Sequence, residues 1–122
     1  MDKVKSFRDI IAWEKAHDLV LLIYKVTENF PRSEEFGLKS QIRRAAVSVP
    51  SNLAEGFKRK SKADSVHFYN ISEASLEELK YQIFLSRDLG YIFKLDYDYI
   101  APLTEEVGKI LCGWLKSQKI FI

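Results

Sequence analysis

The chain has 122 residues, a length typical of one domain, and we expect residues 1–122 to form a single domain. Hydrophobic residues make up 47% of the chain and charged residues 30%, which excludes an intrinsically disordered protein. The net charge is only +2, and the single cysteine, Cys112, excludes an internal disulfide framework. No apolar run is long enough to cross a membrane, and residues 1–8 do not resemble a signal peptide, so we expect a cytoplasmic protein without a membrane partner.

The first amphipathic segment predicts helix 1 over about residues 9–29. Apolar residues recur at three- and four-residue steps from Trp13 to Phe30. Asp9 is the predicted N-cap. The helix is expected to end before Pro31, because proline disfavours the helical conformation in the residue that precedes it.

The second apolar stripe runs from Leu38 to Phe57 and contains Pro50 in its middle. Proline within a helix removes a backbone hydrogen bond and costs about 3 kcal/mol. A break there, with a new helix starting at Asn52, would leave a segment too short to be stable without packing. We therefore predict one helix over about residues 38–60, kinked at Pro50.

The polar residues beside Pro50 have two possible roles. Ser48, Ser51 and Asn52 are expected to hydrogen-bond the carbonyl that the proline frees. Binding at a pore or an interface is the alternative.

Helix 3 is predicted over about residues 62–89, between a capping box of Ser61 with Asp64 and a glycine cap at Gly90. Further apolar side chains lie outside its main seam, and an oligomer would hide them. The seam itself comprises Tyr69, Ser72, Leu76, Leu79, Ile83 and Ser86.

Helix 4 is predicted over about residues 97–118. Its start is left open, because a proline such as Pro102 is tolerated only in the opening turn of a helix. Four amphipathic segments with short connections predict an all-α fold, an antiparallel up-and-down four-helix bundle.

One long contiguous stretch, residues 40–56, reads SQIRRAAVSVPSNLAEG. Phe7-Arg8-Asp9 precedes it, and Arg87-Asp88-Leu89-Gly90-Tyr91 follows near the end of helix 3. Together these motifs resemble the signature of the 23S rRNA-intervening-sequence protein family, also called the four-helix-bundle protein family. The resemblance covers about residues 7–118.

The resemblance implies a bacterial four-helix bundle that assembles into a ring-shaped homopentamer, with helix 2 continuing through its proline. It implies no catalytic residues. A related branch, the basic accessory protein of diversity-generating retroelements, binds nucleic acid and a reverse transcriptase. This chain departs from that branch in its net charge of only +2.

Positive charge is concentrated between Phe36 and Lys62. Seven basic residues and one acidic residue give this segment an excess of six, while the remaining residues sum to −4. Such an excess is typical of phosphate contacts. Phe57 and Tyr69 are the nearest candidates for base stacking. The predicted phosphate-contacting residues are Arg43, Arg44, Lys58, Arg59, Lys60 and Lys62. The alternative is that these side chains are simply solvated, or pair with acidic residues of a neighbouring subunit.

Two acid-x-x-His pairs, Glu14 with His17 and Asp64 with His67, raise the possibility of a di-iron site. The two further glutamates of such a site would be Glu55 on helix 2 and Glu105 or Glu106 on helix 4. However, helical geometry directs His67 away from the core, and Glu105 lies about 20 Å from the helix 4 end that meets the histidines. We therefore expect no metal and no cofactor. Cys112 has no histidine nearby in the sequence and is expected to be a small core residue.

These observations predict a non-enzymatic homo-oligomer that binds RNA or DNA through a basic helix 2. The alternative is a structural or protein–protein interaction oligomer that binds no nucleic acid.

Overall fold

Four helices account for most of the chain. The computed structural model describes residues 4–119, and within that range it contains no strand. The predicted all-α four-helix bundle is thereby confirmed. Short 3₁₀ turns at Phe7–Asp9 and Arg32–Glu34 precede the first two helices. The helices are α1 (Ile11–Val26), α2 (Leu38–Lys58), α3 (Lys62–Asp88) and α4 (Lys94–Lys119).

The core is formed by the apolar stripes of all four helices. Every position of the predicted α3 seam is buried, including the two serines, Ser72 and Ser86. The large side chains that are essentially inaccessible to solvent include Leu19, Ile23, Ile42, Val49, Leu53, Leu79, Ile83, Ile100, Val107 and Leu111.

Contacts between α3 and α4 run in opposite order along the two helices. The pairs are Tyr69 with Trp114, Leu76 with Gly108, Lys80 with Glu105, and Arg87 with Tyr97.

The kink predicted in α2 at Pro50 stays a prediction.

The start of α1 differs from the prediction. Asp9 is not the N-cap of this helix, because its carboxylate instead accepts the backbone N–H groups of Lys5 and Ser6, at 3.0 and 3.1 Å. These bonds close a capping box around the 3₁₀ turn, with Ser6 as its N-cap. The helix itself begins only at Ile11 and ends at Val26, three residues before the predicted end.

The start of α4 lies three residues before the approximate start predicted for it. The helix begins at Lys94, so Pro102 lies well inside it rather than in its opening turn. The carbonyl that loses its helical donor is that of Asp98, four residues earlier. Asp98 and Pro102 are both exposed, so water can hydrate that carbonyl and the helix continues.

The predicted Ser61 N-cap and glycine cap of α3 are present, but of the capping box only the bond from the Asp64 N–H forms among the described residues. Ser61 Oγ accepts the N–H of Asp64 at 3.1 Å. At the other end Gly90 has φ +78°, a conformation that glycine adopts readily. The Tyr91 N–H reaches the carbonyl of Ser86 at 2.8 Å, as in a Schellman motif.

Helix α2 continues through Pro50 without interruption, so the prediction of one helix is confirmed. Side chains of α3 hydrogen-bond to α2 next to the proline. The buried Ser72 hydroxyl donates to the carbonyl of Val49 at 2.7 Å, and the hydroxyls of Ser48 and Ser75 are 2.8 Å apart.

The predicted role of the polar residues beside Pro50 needs correction. The carbonyl that Pro50 deprives of its usual donor is that of Ala46, four residues earlier. Asn52 Nδ2 instead donates to the carbonyl and the hydroxyl of Ser48, both at 2.8 Å. Ser48 and Asn52 therefore form a polar cluster where α2 meets α3, and exposed Ser51 takes no part in these bonds.

A single carboxylate joins two turns at one end of the bundle. Glu34 Oε1 accepts the N–H of Leu38 at 3.0 Å and so caps the start of α2. Glu34 Oε2 accepts the hydroxyl of Tyr91 at 3.0 Å. The Tyr91 ring also packs against Phe30, with ring centroids 5.4 Å apart. The turn before α2 is thereby fixed to the turn between α3 and α4.

This link should be visible in the pH dependence of stability. The hydrogen bond to Glu34, followed by desolvation and the charge of that carboxylate, raises the pKa of the Tyr91 phenol above 10.0. Because the pKa is higher in the folded chain, the stabilisation is complete below about pH 10 and is lost as the pH rises through the raised value. The difference in unfolding free energy between wild type and Tyr91→Phe should therefore narrow above about pH 10. Urea denaturation at about pH 8 and pH 11 measures it.

Exposed Tyr99 provides the matched control, since Tyr99→Phe also removes one phenol. Urea denaturation of Tyr99→Phe at the same two pH values gives the effect of losing a phenol that does not bond Glu34. A Tyr91→Phe difference that is the same at both pH values would contradict the role of the Glu34 hydrogen bond.

Candidate nucleic-acid interface

The six predicted phosphate-contacting residues form two groups. Arg43 and Arg44 lie in the first half of α2, whereas the other four lie at residues 58–62, where α2 ends and α3 begins. Fifteen residues of helix separate Arg43 from Lys58, which corresponds to about 22 Å along the axis. One protomer therefore presents two basic groups rather than one continuous patch.

The second group, called here the basic junction, comprises Lys58, Arg59, Lys60 and Lys62. All four residues are exposed. Within residues 4–119, neither Lys58 nor Lys60 forms an ion pair or a hydrogen bond through its side chain. Their ammonium groups are therefore available to an external anion.

Arg59 is exposed but held in place. Its guanidinium lies 3.2 Å from Glu55 Oε2, one helical turn earlier, and 4.3 Å from the centre of the Phe68 ring. Exposed ion pairs of this kind contribute at most about 1 kcal/mol. The side chain remains 41% accessible, so it is oriented by α2 and α3 without being covered by them.

The predicted stacking aromatics near the basic junction belong to the core. Tyr69 is only 3% exposed and packs edge-on against Trp114, with ring centroids 5.9 Å apart. Burial raises the pKa of the Tyr69 phenol, an effect that Trp114 partly offsets. Phe57 is half-buried against the same core. A groove of about 310 Å³ lies beside them, and the buried Tyr69 ring does not offer a free face to a base there.

The two neighbouring arginines of α2 have different surroundings. Arg43 Nε donates to Thr27 Oγ1 at 2.8 Å, and a terminal nitrogen donates to the carbonyl of Tyr24 at 3.0 Å. The guanidinium also lies 4.3 Å from the centre of the Tyr24 ring. Arg43 therefore anchors α2 to the end of α1. Arg44 is exposed and has no side-chain partner within the described part of the chain.

The side chains considered for a metal site make other contacts. His17 stacks on Trp13 with ring centroids 5.1 Å apart, and His67 lies edge-on to Phe68 at 5.4 Å. Glu105 pairs with Lys80 at 3.3 Å. Between residues 4 and 119, no three His, Cys, Asp or Glu side chains come together as metal ligands would.

No helix within residues 4–119 combines the length and the apolar character needed to span a lipid bilayer.

Comparisons with known proteins agree with this fold. A family model described as 23S rRNA-intervening sequence protein matches residues 8–113. A similar solved structure is that of a protein of unknown function from the S23 ribosomal protein family of Bacteroides thetaiotaomicron VPI-5482. It is 27% identical, the match covers 87% of this chain and 99% of that one, and the TM-score is 0.76. No curated protein gives a significant match. With most of its length matched by the family model, the chain belongs to the 23S rRNA-intervening sequence protein family.

Proposed function

We propose that this protein is a non-enzymatic, cytoplasmic homo-oligomer that binds RNA or DNA through the basic junction. The observation that carries the proposal is the density of accessible charge there. Four cationic residues occur within positions 58–62, and all of them are exposed. Lys58 and Lys60 have no side-chain partner among the described residues. Exposed cations of this kind neutralise phosphates and release counterions on binding.

Assembly would multiply these contacts. Large apolar side chains on α3 and α4 are unusually exposed, among them Leu95 at 84% and Tyr81 at 63%. Contacts between copies would remove such surface from water. A ring would carry several basic junctions, and multivalent attachment strengthens binding without any new type of contact. The pentamer that the resemblance implies would have a mass near five times 14.2 kDa in light scattering.

Salt-dependent binding tests the proposal. The probes are a fluorescent single strand of mixed sequence and its duplex, as RNA and as DNA, titrated by fluorescence polarisation at several salt concentrations. Affinity for wild type should fall steeply with salt. The Lys58→Ala/Lys60→Ala variant should bind more weakly, and its slope of log K against log salt should be shallower by about 0.7–0.9 for each phosphate that is no longer neutralised.

A matched control removes the same charge elsewhere. Lys94 and Lys109 are exposed residues of α4, outside the segment of positive charge. The Lys94→Ala/Lys109→Ala variant should keep most of the wild-type affinity and salt slope. Equal losses in both double variants would show that only net charge matters, and no loss in Lys58→Ala/Lys60→Ala would reject the basic junction as the binding surface.

The exposed apolar side chains also favour a second candidate, a structural or protein–protein interaction oligomer. In that case α2 would lie against a neighbouring subunit, and its cations would pair with acidic residues there. Salt separates the two functions, because phosphate binding weakens steeply with ionic strength while an apolar interface persists. An oligomer of unchanged mass that binds no RNA or DNA at low salt would support this second function.

A further inference from the structure

A second surface of the molecule combines positive charge with an open aromatic ring. It is the groove between the end of α1 and the first half of α2, with a volume of about 520 Å³. We call it the α1–α2 groove, and its lining includes Tyr24, Phe36, Lys39, Arg43, Arg44 and Val47. The volume falls within the range of about 300–1,000 Å³ that is usual for small-ligand sites.

The charge of the α1–α2 groove is positive, and its cations are not equivalent. Lys39 pairs with Glu35, the single acidic residue of the lining, at 3.0 Å. Arg43 is engaged by Thr27 and Tyr24. Arg44 has no side-chain partner within residues 4–119. A phosphate entering the groove would therefore meet Arg44 as the available cation, with Lys39 and Arg43 adding to the positive potential.

Phe36 supplies an unusual feature at the rim of the groove. Its side chain is 96% exposed, although a phenyl ring gains substantial free energy from burial. The residue lies in the turn directly before α2, which Glu34 fixes by capping Leu38 and bonding Tyr91. The ring is therefore presented to solvent from a turn that is tied to the rest of the bundle.

We propose that the α1–α2 groove binds an unpaired nucleotide of single-stranded RNA or DNA, with the base on the Phe36 ring and the phosphate at Arg44. This inference rests on the proposed function in so far as the protein binds RNA or DNA, and it specifies the form of that nucleic acid. Stacking on an aromatic side chain requires a base with a free face, which a duplex does not offer along its length. The positive groove complements the phosphate, and a stacked base would cover the exposed ring.

The test compares single strands with duplexes by fluorescence polarisation at low salt. Phe36→Ala should weaken binding of the single strand about 5- to 150-fold, the range expected when one base no longer stacks on an aromatic ring, and leave duplex binding unchanged. Phe36→Tyr keeps an aromatic ring and should bind the single strand with the wild-type affinity. Arg44→Ala should also weaken single-strand binding and, unlike Phe36→Ala, should lower the salt slope, because stacking releases no counterions.

Phe93 provides the matched control, since it is another phenylalanine, 77% exposed, that does not line the groove. Phe93→Ala should bind the single strand like wild type. Light scattering of Phe36→Ala should give the wild-type mass. A lower mass would show that a second copy of the chain covers Phe36, and this would overturn the inference.

The outcomes separate the two proposals. If Lys58→Ala/Lys60→Ala loses binding while Phe36→Ala does not, the stacking site is rejected and the basic junction stands. If Phe36→Ala weakens binding of single strand and duplex equally, the stacking site is likewise rejected. If Phe36→Ala loses single-strand binding while the basic-junction variant does not, the groove stands and the basic junction is rejected. If wild type binds neither form at low salt, both proposals are wrong.

Discussion

Replacing Gly56 with alanine is expected to lower the free energy of unfolding by about 1–3 kcal/mol, the usual cost of overpacking. Gly56 is buried near the end of α2. An added Cβ would lie 2.5 Å from Tyr69 Cε1 and 3.0 Å from the carbonyl oxygen of Ser65. The Tyr69 ring is itself buried against Trp114, so neither neighbour can move away freely. Urea denaturation measures the loss.

Gly113 offers the same substitution without the clash. It is an exposed residue of α4, and no atom lies within 4 Å of the Cβ that alanine would add. Because alanine is favoured over glycine inside helices by about 0.5–1 kcal/mol, Gly113→Ala should be neutral or stabilising. If Gly56→Ala proved as stable as Gly113→Ala, the close approach of α2 and α3 at this point would be wrong.

The second large effect distinguishes two adjacent arginines. Arg43→Ala should lower the free energy of unfolding by about 1.5–3 kcal/mol, the usual contribution of hydrogen bonds to a charged group. It removes the bonds to Thr27 and to the Tyr24 carbonyl, which join α2 to α1. Arg44→Ala removes no described side-chain contact, so its effect should lie within about 0.5 kcal/mol. Thermal and urea denaturation of both variants measure the difference.

A conservative variant makes the comparison sharper. Arg43→Lys keeps the positive charge but loses the planar group that bonds Thr27 Oγ1 while stacking on Tyr24. It should therefore be destabilised as well. If Arg43→Lys kept the wild-type free energy of unfolding while Arg43→Ala lost it, the positive charge alone would matter. Equal stability of Arg43→Ala and Arg44→Ala would contradict an anchoring role for Arg43.

Much of the fold could be predicted because local patterns determine it. The seam of α3 repeats at three- and four-residue steps, and each of its positions is buried. The caps at Ser61 and Gly90 were predictable for the same reason, since capping depends on residues within one turn. The continuation of α2 through Pro50 followed from the instability of the short helix that a break would leave.

The errors arose where local rules leave a choice. Asp9 can cap either an α-helix or a 3₁₀ turn, and here it forms a capping box with Ser6 at the 3₁₀ turn. Pro102 excludes neither an early nor a late start for α4, because solvent can satisfy the carbonyl that the proline leaves unpaired. Periodicity identifies the helices but does not determine which residue begins them.

The candidate site was harder to predict because charge in a sequence carries no information about partners. Arg43 and Arg44 are adjacent and chemically identical, yet only Arg43 contacts α1. The link from Glu34 to Tyr91 joins residues 57 positions apart. The exposure of Phe36 could not be predicted from helical periodicity, because only the packing of the turn before α2 leaves it uncovered. A phenylalanine in the connection between the predicted helices 1 and 2 is the signal that could have identified it.

The connection between α2 and α3 bears on how the chain folds. Only residues 59–61 separate the two helices, which meet closely where Gly56 lies against Tyr69. The entropic cost of closing a loop grows with its length, and chains whose contacts are local in sequence fold rapidly. The α2–α3 hairpin can therefore close at small entropic cost, and we expect it to form early, as a surface on which α1 and α4 then pack.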